Sequence, residues 1–413
     1  MGRDMNLRHI LVANVFFAPF SYGGATVVAE QVATALIKQG GYRVTVVSLC
    51  ARNDIAPYDV IKSQKNGIVN YLINVPEHRS YGEIYNNPEV TARLAELISA
   101  LEPDLIHAHC IQDIGTGIIT AAEGANVPVI LSVHDFWWLC ERQFMIKLDE
   151  RYCGQNPVRI DRCKGCVDNF WAAKTRFNHL QAMSEKVALV TYPSQFAKEL
   201  SEASGFAKGR GVVWKNGVNP PEPAFFNKQA ARRASDQRIT FGYVGGPAQI
   251  KGWPQIEQAF AGIKSGKFRG LVVDGSRDGS WWQAKQLSKL PGSWEIYPRF
   301  EQHNMDDFYA EIDVLLFMSQ WKETFGLAIR EALARGLTVI QTDSGGTVEH
   351  GAIRQEDLIP IAAPPGQLRE QIDQVLRSGK RERAPYPVVH FADQAREFSA
   401  LVDQVLQEVE RAA

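Results

Sequence analysis

His9-Ile-Leu-Val-Ala-Asn14, a short apolar run, leads through the loop Phe16 to Gly24 into Ala25-Thr-Val-Val-Ala-Glu-Gln-Val-Ala-Thr-Ala-Leu-Ile-Lys-Gln39, and Gly40-Gly41 then precedes a second apolar run, Arg43-Val-Thr-Val-Val-Ser-Leu49. The two short runs read as strands and the stretch between them as a helix. The glycine pair closes that helix, where a left-handed residue is favoured. Strand, loop, helix, strand is one βαβ unit.

The alternation continues outward from this unit. Glu89 to Leu101 reads as a helix, Leu105 to Ala108 as a strand, Gly115 to Glu123 as a helix and Val129 to Val133 as a strand. Val187 to Tyr192 and Gln195 to Ala203 add another strand and helix. Short apolar strands alternating with helices imply a parallel sheet covered on both faces. Between about Gly205 and Asp236 the periodicity fades into glycine, proline and charge, including Asn216-Gly217 and Asn219-Pro220-Pro221, which marks a domain boundary.

A second series then runs through Ile239 to Gly245, the helix Trp253 to Lys264, the strands Gly270 to Val273 and Val314 to Met318, the helix Phe325 to Arg335 and the strand Thr338 to Thr342. The expected division is residues 1–205, carrying a cysteine-rich insertion at 137–170, and residues 206–390. The tail, residues 391–413, places Phe398, Leu401, Val402, Val405, Leu406 and Val409 at helical spacing and is expected to pack back toward the first domain. The fold class is α/β, with two Rossmann-like parallel-sheet domains.

Bulk properties agree. A chain of 413 residues is too long for one ordinary core. Hydrophobic content of 45% beside 22% charged residues is that of a globular protein, and a net charge of −1 gives no field that would draw nucleic acid. Charge is uneven, however: Arg151, Arg159, Arg162, Lys164 and Lys174 crowd one stretch, and Lys208 to Arg238 is also basic. Two readings stand, a solvated face and a surface that meets anionic lipid or a phosphorylated acceptor. The start, Met1 to Arg8, is polar, and Ile10 to Ala13 is far shorter than a signal core or a membrane span, so the expected location is the cytoplasm, with the inner face of the membrane as a place of contact.

The stretch Ser319-Gln-Trp-Lys-Glu323-Thr324-Phe325-Gly326-Leu327-Ala-Ile-Arg-Glu331-Ala-Leu-Ala-Arg-Gly336 follows a buried strand and opens a helix. Thr324 to Leu327 thereby offer unpaired amides at a helix N-terminus, a ready phosphate site. Glu323 and Glu331 are apt acceptors for ribose and sugar hydroxyls. They are equally explained as an acid complementing the helix dipole and an ordinary helix glutamate.

The Glu-x7-Glu pair, its Phe-Gly-Leu core, the Glu331-Ala-Leu-Ala-x-Gly336 continuation and the loop Thr342-Asp-Ser-Gly-Gly346-x-x-Glu349 resemble the signature of glycosyltransferase family 4, of the GT-B fold. Further resemblance spans nearly the whole chain: Phe17-Ala-Pro-x-x-x-Gly23-Gly24, Leu105-Ile-His-Ala-His109, Ser132-Val-His134-Asp135, Tyr192-Pro-Ser194, Asn216-Gly217-Val218, and Gly242-Tyr-Val-Gly245-Gly246 through Lys251-Gly252. It implies two domains facing across a cleft, retention of anomeric configuration, and a nucleotide diphosphate sugar as donor. Glu331 would bind the ribose, Glu323 the sugar hydroxyls, and Thr324, Phe325, Gly326 and Leu327 the diphosphate or sugar. Lys251 would neutralise the leaving diphosphate, where charge develops as the bond breaks. Gly23 and Gly24, with Gly245 and Gly246, would let backbone approach the phosphates. His134 would contact the transferred sugar.

The sequence departs from the family where many members carry an arginine that pairs with the lysine; Gly246 stands there, and Arg299 is the candidate for the missing charge. Cys140, Cys153, Cys163 and Cys166 read either as a structural zinc site or as reduced thiols in a loop. No cofactor is expected for catalysis itself. The acceptor is a carbohydrate or a lipid-linked molecule, and cell-surface polysaccharide or glycoconjugate synthesis is the expected setting. The rivals are other GT-B chemistry, such as nucleotide-sugar epimerisation or hydrolysis, and a non-catalytic scaffold.

Overall fold

A computed structural model of the chain describes residues 7–276, 278–379 and 383–412; most of the polar start, residues 1–6, lies outside them. Two compact units emerge, one of residues 1–143, 154–217 and 389–413, the other of residues 144–153 and 218–388.

In the first unit the strands are β1 (Arg8–Ala13), β2 (Tyr42–Cys50), β3 (Val60–Lys65), β4 (Ile68–Asn74), β5 (Leu105–Ala108), β6 (Val129–Ser132), β7 (Leu189–Tyr192) and β8 (Gly211–Val213), in the order β3-β4-β2-β1-β5-β6-β7-β8. Strands β1, β5, β6 and β7 are buried on both faces, hence their unbroken apolar character. Helices α1 (Gly24–Gln39), α2 (Pro88–Leu101), α3 (Gly117–Gly124), α4 (Phe170–Ser184) and α5 (Gln195–Ala203) are the connections. Val28, Val32 and Leu36 line the buried stripe of α1. Asn87 caps α2 by accepting from the amides of Glu89 and Val90, and Ser194 caps α5 by accepting from Ala197.

Only β3 runs antiparallel, joined to β4 through Asn66 (φ 52°) and Gly67 (φ 81°). Positive φ at both residues is the type I′ geometry whose twist suits a two-residue hairpin. Strand β8 pairs with β7, so the chain as far as Gly217 belongs to this unit rather than leaving it at residue 205. Three residues are too few to show a period. The tail helix Phe391–Ala412 belongs here too, burying Phe398, Val402 and Val405. Trp214 donates to the Gln394 carbonyl at 3.0 Å, and the Gln394 side chain accepts from Gly217 N at 2.7 Å. Gly217 admits no side chain, since a Cβ there would stand 2.5 Å from Phe391 N.

The second unit has a wholly parallel sheet of β9 (Ile239–Tyr243), β10 (Phe268–Val273), β11 (Ser293–Tyr297), β12 (Val314–Phe317) and β13 (Thr338–Gln341), in the order β11-β10-β9-β12-β13. Helices α6 (Phe225–Ser235), α7 (Trp253–Ala261), α8 (Met305–Glu311), α9 (Leu327–Ala334) and α10 (Pro365–Ser378) cover it. One core, rich in aromatics, gathers Phe241, Trp253, Phe260, Phe268 and Trp282; the other gathers Phe225, Phe308, Leu315 and Ile329. A doubly wound sheet of this kind brings the loops that follow β9, β12 and β13 to one carboxyl edge, where ligands bind in such folds.

Candidate active site

The loop after β9 and the loop after β12 meet at Lys251 and Glu323. Gly252, at φ 83°, is what lets them meet: a Cβ there would lie 1.9 Å from the Met318 carbonyl oxygen. With glycine in place, Gln320 N donates to the Ile250 carbonyl at 2.8 Å. The Lys251 ammonium then sits 3.0 Å from Glu323 Oε1 and 5.7 Å from the Trp321 ring centroid. Ser319 Oγ donates to the same carboxylate oxygen. Glu323 is buried while Lys251 stays about a third exposed, so the carboxylate is fixed and the ammonium faces solvent.

The backbone of Glu323 is held as firmly. Its N–H donates to the Ser344 carbonyl at 3.1 Å, and its own carbonyl accepts from Gly346 N at 2.9 Å. Arg330, buried on α9, ties the same loops together. Its guanidinium donates to the carbonyls of Gly346 and Thr347, both at 2.9 Å, and to Phe325, and it stacks 4.0 Å from the Phe325 ring centroid. Helix α9 begins at Leu327, two residues later than the sequence pattern indicates, because Gly326 adopts φ 81° and redirects the chain. Leu327 and the residues after it therefore supply the first-turn amides, and Thr324 and Phe325 lie in the buried loop before them.

Glu331, one helical stripe away on α9, is also buried, and its carboxylate is held by two donors, Tyr309 Oη at 2.7 Å and Gln302 Nε2 at 3.3 Å. Neither donor stands out in the sequence, because both come from the segment around α8 and meet Glu331 only in three dimensions. Gly245 and Gly246 bend the chain after β9 over the Tyr243 hydroxyl, which donates to the carbonyls of Gly246 at 2.8 Å and Lys251 at 3.1 Å. A Cβ at Gly246 would stand 2.8 Å from the Trp281 ring, and its φ is 70°. A side chain at this position would have to displace the Trp281 ring and adopt a left-handed backbone. Arg299 is exposed on the segment after β11.

In the first unit, Gly23 (φ 84°) precedes α1 with no side-chain cap and no acidic residue in the first turn, and Gly24 opens the helix. Open space surrounds the Cβ position of Gly23. His134 follows β6, and its Nε2 lies 2.9 Å from His109 Nδ1. Burial lowers its pKa to about 4, so the ring is neutral at pH 7. Asp135 beside it accepts from Trp137 N and Gln112 at 2.8 Å and from Gln143 at 2.6 Å, while burial pushes its pKa up. This carboxylate is thus spent on fixing the loop after β6. All four insertion cysteines are half-buried. Among the described residues no group of three or more His, Cys, Asp or Glu side chains is placed to hold a metal ion.

Two parallel-sheet units, with a lysine, two glutamates and a helix start on the carboxyl edge of the second, define a GT-B glycosyltransferase architecture. The sequence profile described as Glycosyltransferase Family 4 matches residues 22–222, and that of Glycosyl transferases group 1 matches residues 238–378. The chain belongs to glycosyltransferase family 4. It is 22% identical over 360 residues to an uncharacterised protein of the cps region of Klebsiella pneumoniae, covering 83% of this chain and 87% of that one. It is 25% identical over 259 residues to a GDP-mannose-dependent alpha-mannosyltransferase of Mycobacterium tuberculosis, covering 62% of this chain and 60% of that protein. The fold resembles that of sucrose-phosphate synthase from Thermosynechococcus elongatus, with a TM-score of 0.65 at 15% identity over 98% of both chains.

Proposed function

We propose that this glycosyltransferase moves a sugar from a nucleoside diphosphate sugar to a carbohydrate or lipid-linked acceptor with retention of configuration, in cell-surface polysaccharide or glycoconjugate synthesis. The observation that carries the reading is the Lys251–Glu323 contact of 3.0 Å beside the start of α9. A lysine and helix amides that converge on one spot suit a diphosphate, and a buried carboxylate next to them suits sugar hydroxyls. Glu331 would take the ribose. The amides from Leu327 onward and Lys251 would stabilise the negative charge that grows on the leaving phosphate oxygen. That oxygen, on the face from which the acceptor enters, would accept the acceptor's proton, so departure and attack share one side. The GDP-mannose dependence of the mycobacterial relative supports the donor class, and the cps-region relative supports the polysaccharide setting.

No helix among the described residues is long and apolar enough to cross a membrane. Peripheral contact with anionic lipid is supported by Arg159, Arg162 and Lys164, all exposed, near Trp171, which is 72% exposed. The test of the chemistry is proton magnetic resonance of the first-formed product from a UDP-, GDP- or ADP-sugar series, read before mutarotation. The product should keep the donor's anomeric configuration. An inverted centre would rule out the mechanism, and release of free sugar alone would assign the site to hydrolysis.

A further inference from the structure

The insertion between β6 and α4 carries a short hairpin, residues 144–153, that belongs to the second unit. Ile146 and Tyr152 form an antiparallel bridge. Cys153 N donates to the Met145 carbonyl and Lys147 N to the Arg151 carbonyl, both at 2.8 Å. Met145 and Ile146 are buried, and Phe144 is half-buried. The backbone on either side of Phe144 is left-handed, with φ 61° at Gln143 and φ 55° at Met145. Residues other than glycine seldom hold this region, and they do so where surrounding contacts impose it. The hairpin is thus set to deliver the Phe144 ring.

Phe144 meets the loop between β12 and α9. Its ring lies 4.9 Å from that of Trp321, edge-on at an interplanar angle of 62°. The Lys251 ammonium stands over the same indole, 5.7 Å from the ring centroid, and 3.0 Å from Glu323 Oε1. An indole is the strongest aromatic partner for a cation, and the attraction counts within about 6 Å of the centroid. The contact lies close to that limit, so a small displacement of the indole releases the ammonium from it. Lysine has a flexible stem and depends on such contacts to stay in one place. Simple packing of two rings would cost stability when Phe144 is changed, but it would leave the lysine indifferent to the change.

We propose that Phe144 is a positioning residue for Lys251: its edge holds the Trp321 indole against the ammonium, which keeps the ammonium where the leaving diphosphate of the donor would need it. The inference rests on the proposed role of Lys251 at that diphosphate. It adds that the insertion between β6 and α4 contributes to the donor site of the second unit, through an aromatic contact outside the glycosyltransferase motif.

The test uses full-length protein labelled with fluorotryptophan, whose nine tryptophans should give nine fluorine resonances. Trp321→Phe identifies the one that belongs to Trp321. In the parent background, Lys251→Met should shift that resonance, because it removes a charge over the ring. In Phe144→Leu, which keeps apolar bulk without the aromatic edge, the shift caused by Lys251→Met should largely vanish. Phe144→Leu alone should lose about tenfold in turnover, as for a displacement of less than an ångström, with the donor KM held within about twofold. Phe144→Tyr keeps the ring and should restore turnover. Thermal melting checks that each variant is folded, and Phe144→Met takes the place of the leucine variant should that one fail to fold. In a folded variant without the ring, either parental turnover or an undiminished Lys251→Met shift overturns the proposal. Lys251→Met by itself separates the two claims: full turnover in that variant removes the role of the lysine in transfer, while the fluorine spectrum still decides whether Phe144 positions it.

Discussion

Gly252→Ala is the sharpest test of how the second unit builds its site. At φ 83° an alanine costs about 1–2 kcal/mol in the left-handed region. Its Cβ would also lie 1.9 Å from the Met318 carbonyl oxygen, a backbone atom that no rotamer change can move. Ordinary C···O contacts are about 3.3 Å or longer, so the Lys251 turn must retreat by about 1.4 Å, and overpacking of this kind costs about 1–3 kcal/mol more. The expected total is about 2–5 kcal/mol, or roughly 4–20 °C in the melting of this unit. The retreat breaks the Gln320-to-Ile250 bond and draws Lys251 away from Glu323, and an ångström-scale misplacement costs about a hundredfold in turnover. Gly209→Ala is the control, because its φ of 79° is similar but nothing lies within 4 Å of its Cβ position. Differential scanning calorimetry and initial rates with the best donor read both effects. Melting within about 2 °C of the parent together with parental turnover would refute the argument that close backbone approach at Gly252 sets the lysine.

Glu331→Ala should weaken nucleotide binding by about ten- to a hundredfold, because it removes a carboxylate already oriented by Tyr309 and Gln302; titration calorimetry with the nucleoside diphosphate checks it. Glu323→Gln should instead lower kcat with little change in KM, since its contacts are to tighten as the bond breaks. Acid should destabilise the first unit: His134 has its pKa lowered to about 4, so below pH 6.5 the unfolded chain takes up a proton that the folded one refuses, and stability falls until about pH 4 by on the order of 3 kcal/mol. Urea unfolding at pH 7 and pH 4.5 should show this loss, reduced in His134→Gln. Elemental analysis of protein purified without added metal decides between the two readings of the four cysteines: about one zinc per chain gives the structural site, and well below one gives reduced thiols in a loop.

The βαβ alternation was legible because buried parallel strands and their crossover helices differ in length and period, so strands such as Leu105–Ala108 and Thr338–Gln341 could be read from composition alone. The β3–β4 hairpin went unread although Asn66-Gly67 is a strong turn signal, because the flanking residues of β3 are mostly exposed and carry no apolar run. The glutamates, Lys251 and the glycines were legible through their motif. Their supports were not. Tyr309, Gln302 and Ser319 are ordinary residue types whose partners are fixed by packing rather than by spacing. The contact of His109 with His134 was not legible, because His109 follows β5 and His134 follows β6, and the pairing of those two strands is a property of sheet order.

Two cations stand near the start of α9, and their surroundings assign them different work. Arg330 is buried, and the loss of hydration lowers its pKa to about 9, which still leaves it charged at pH 7. Its donors are consumed by the carbonyls of Phe325, Gly346 and Thr347, so its charge is held in place behind the loop as a constant part of the local field. Lys251 is partly exposed, and its charge rests on the single oxygen of Glu323 that Ser319 also contacts. A flexible ammonium with one carboxylate partner can transfer its contact to an arriving phosphate, while Ser319 keeps Glu323 from being stranded. On this division Arg330→Met should unfold the loop whether or not donor is present, whereas Lys251→Met should leave the loop intact and lose turnover. In the proposed chemistry it is therefore the motif lysine, and not the buried arginine, whose charge would meet the leaving group.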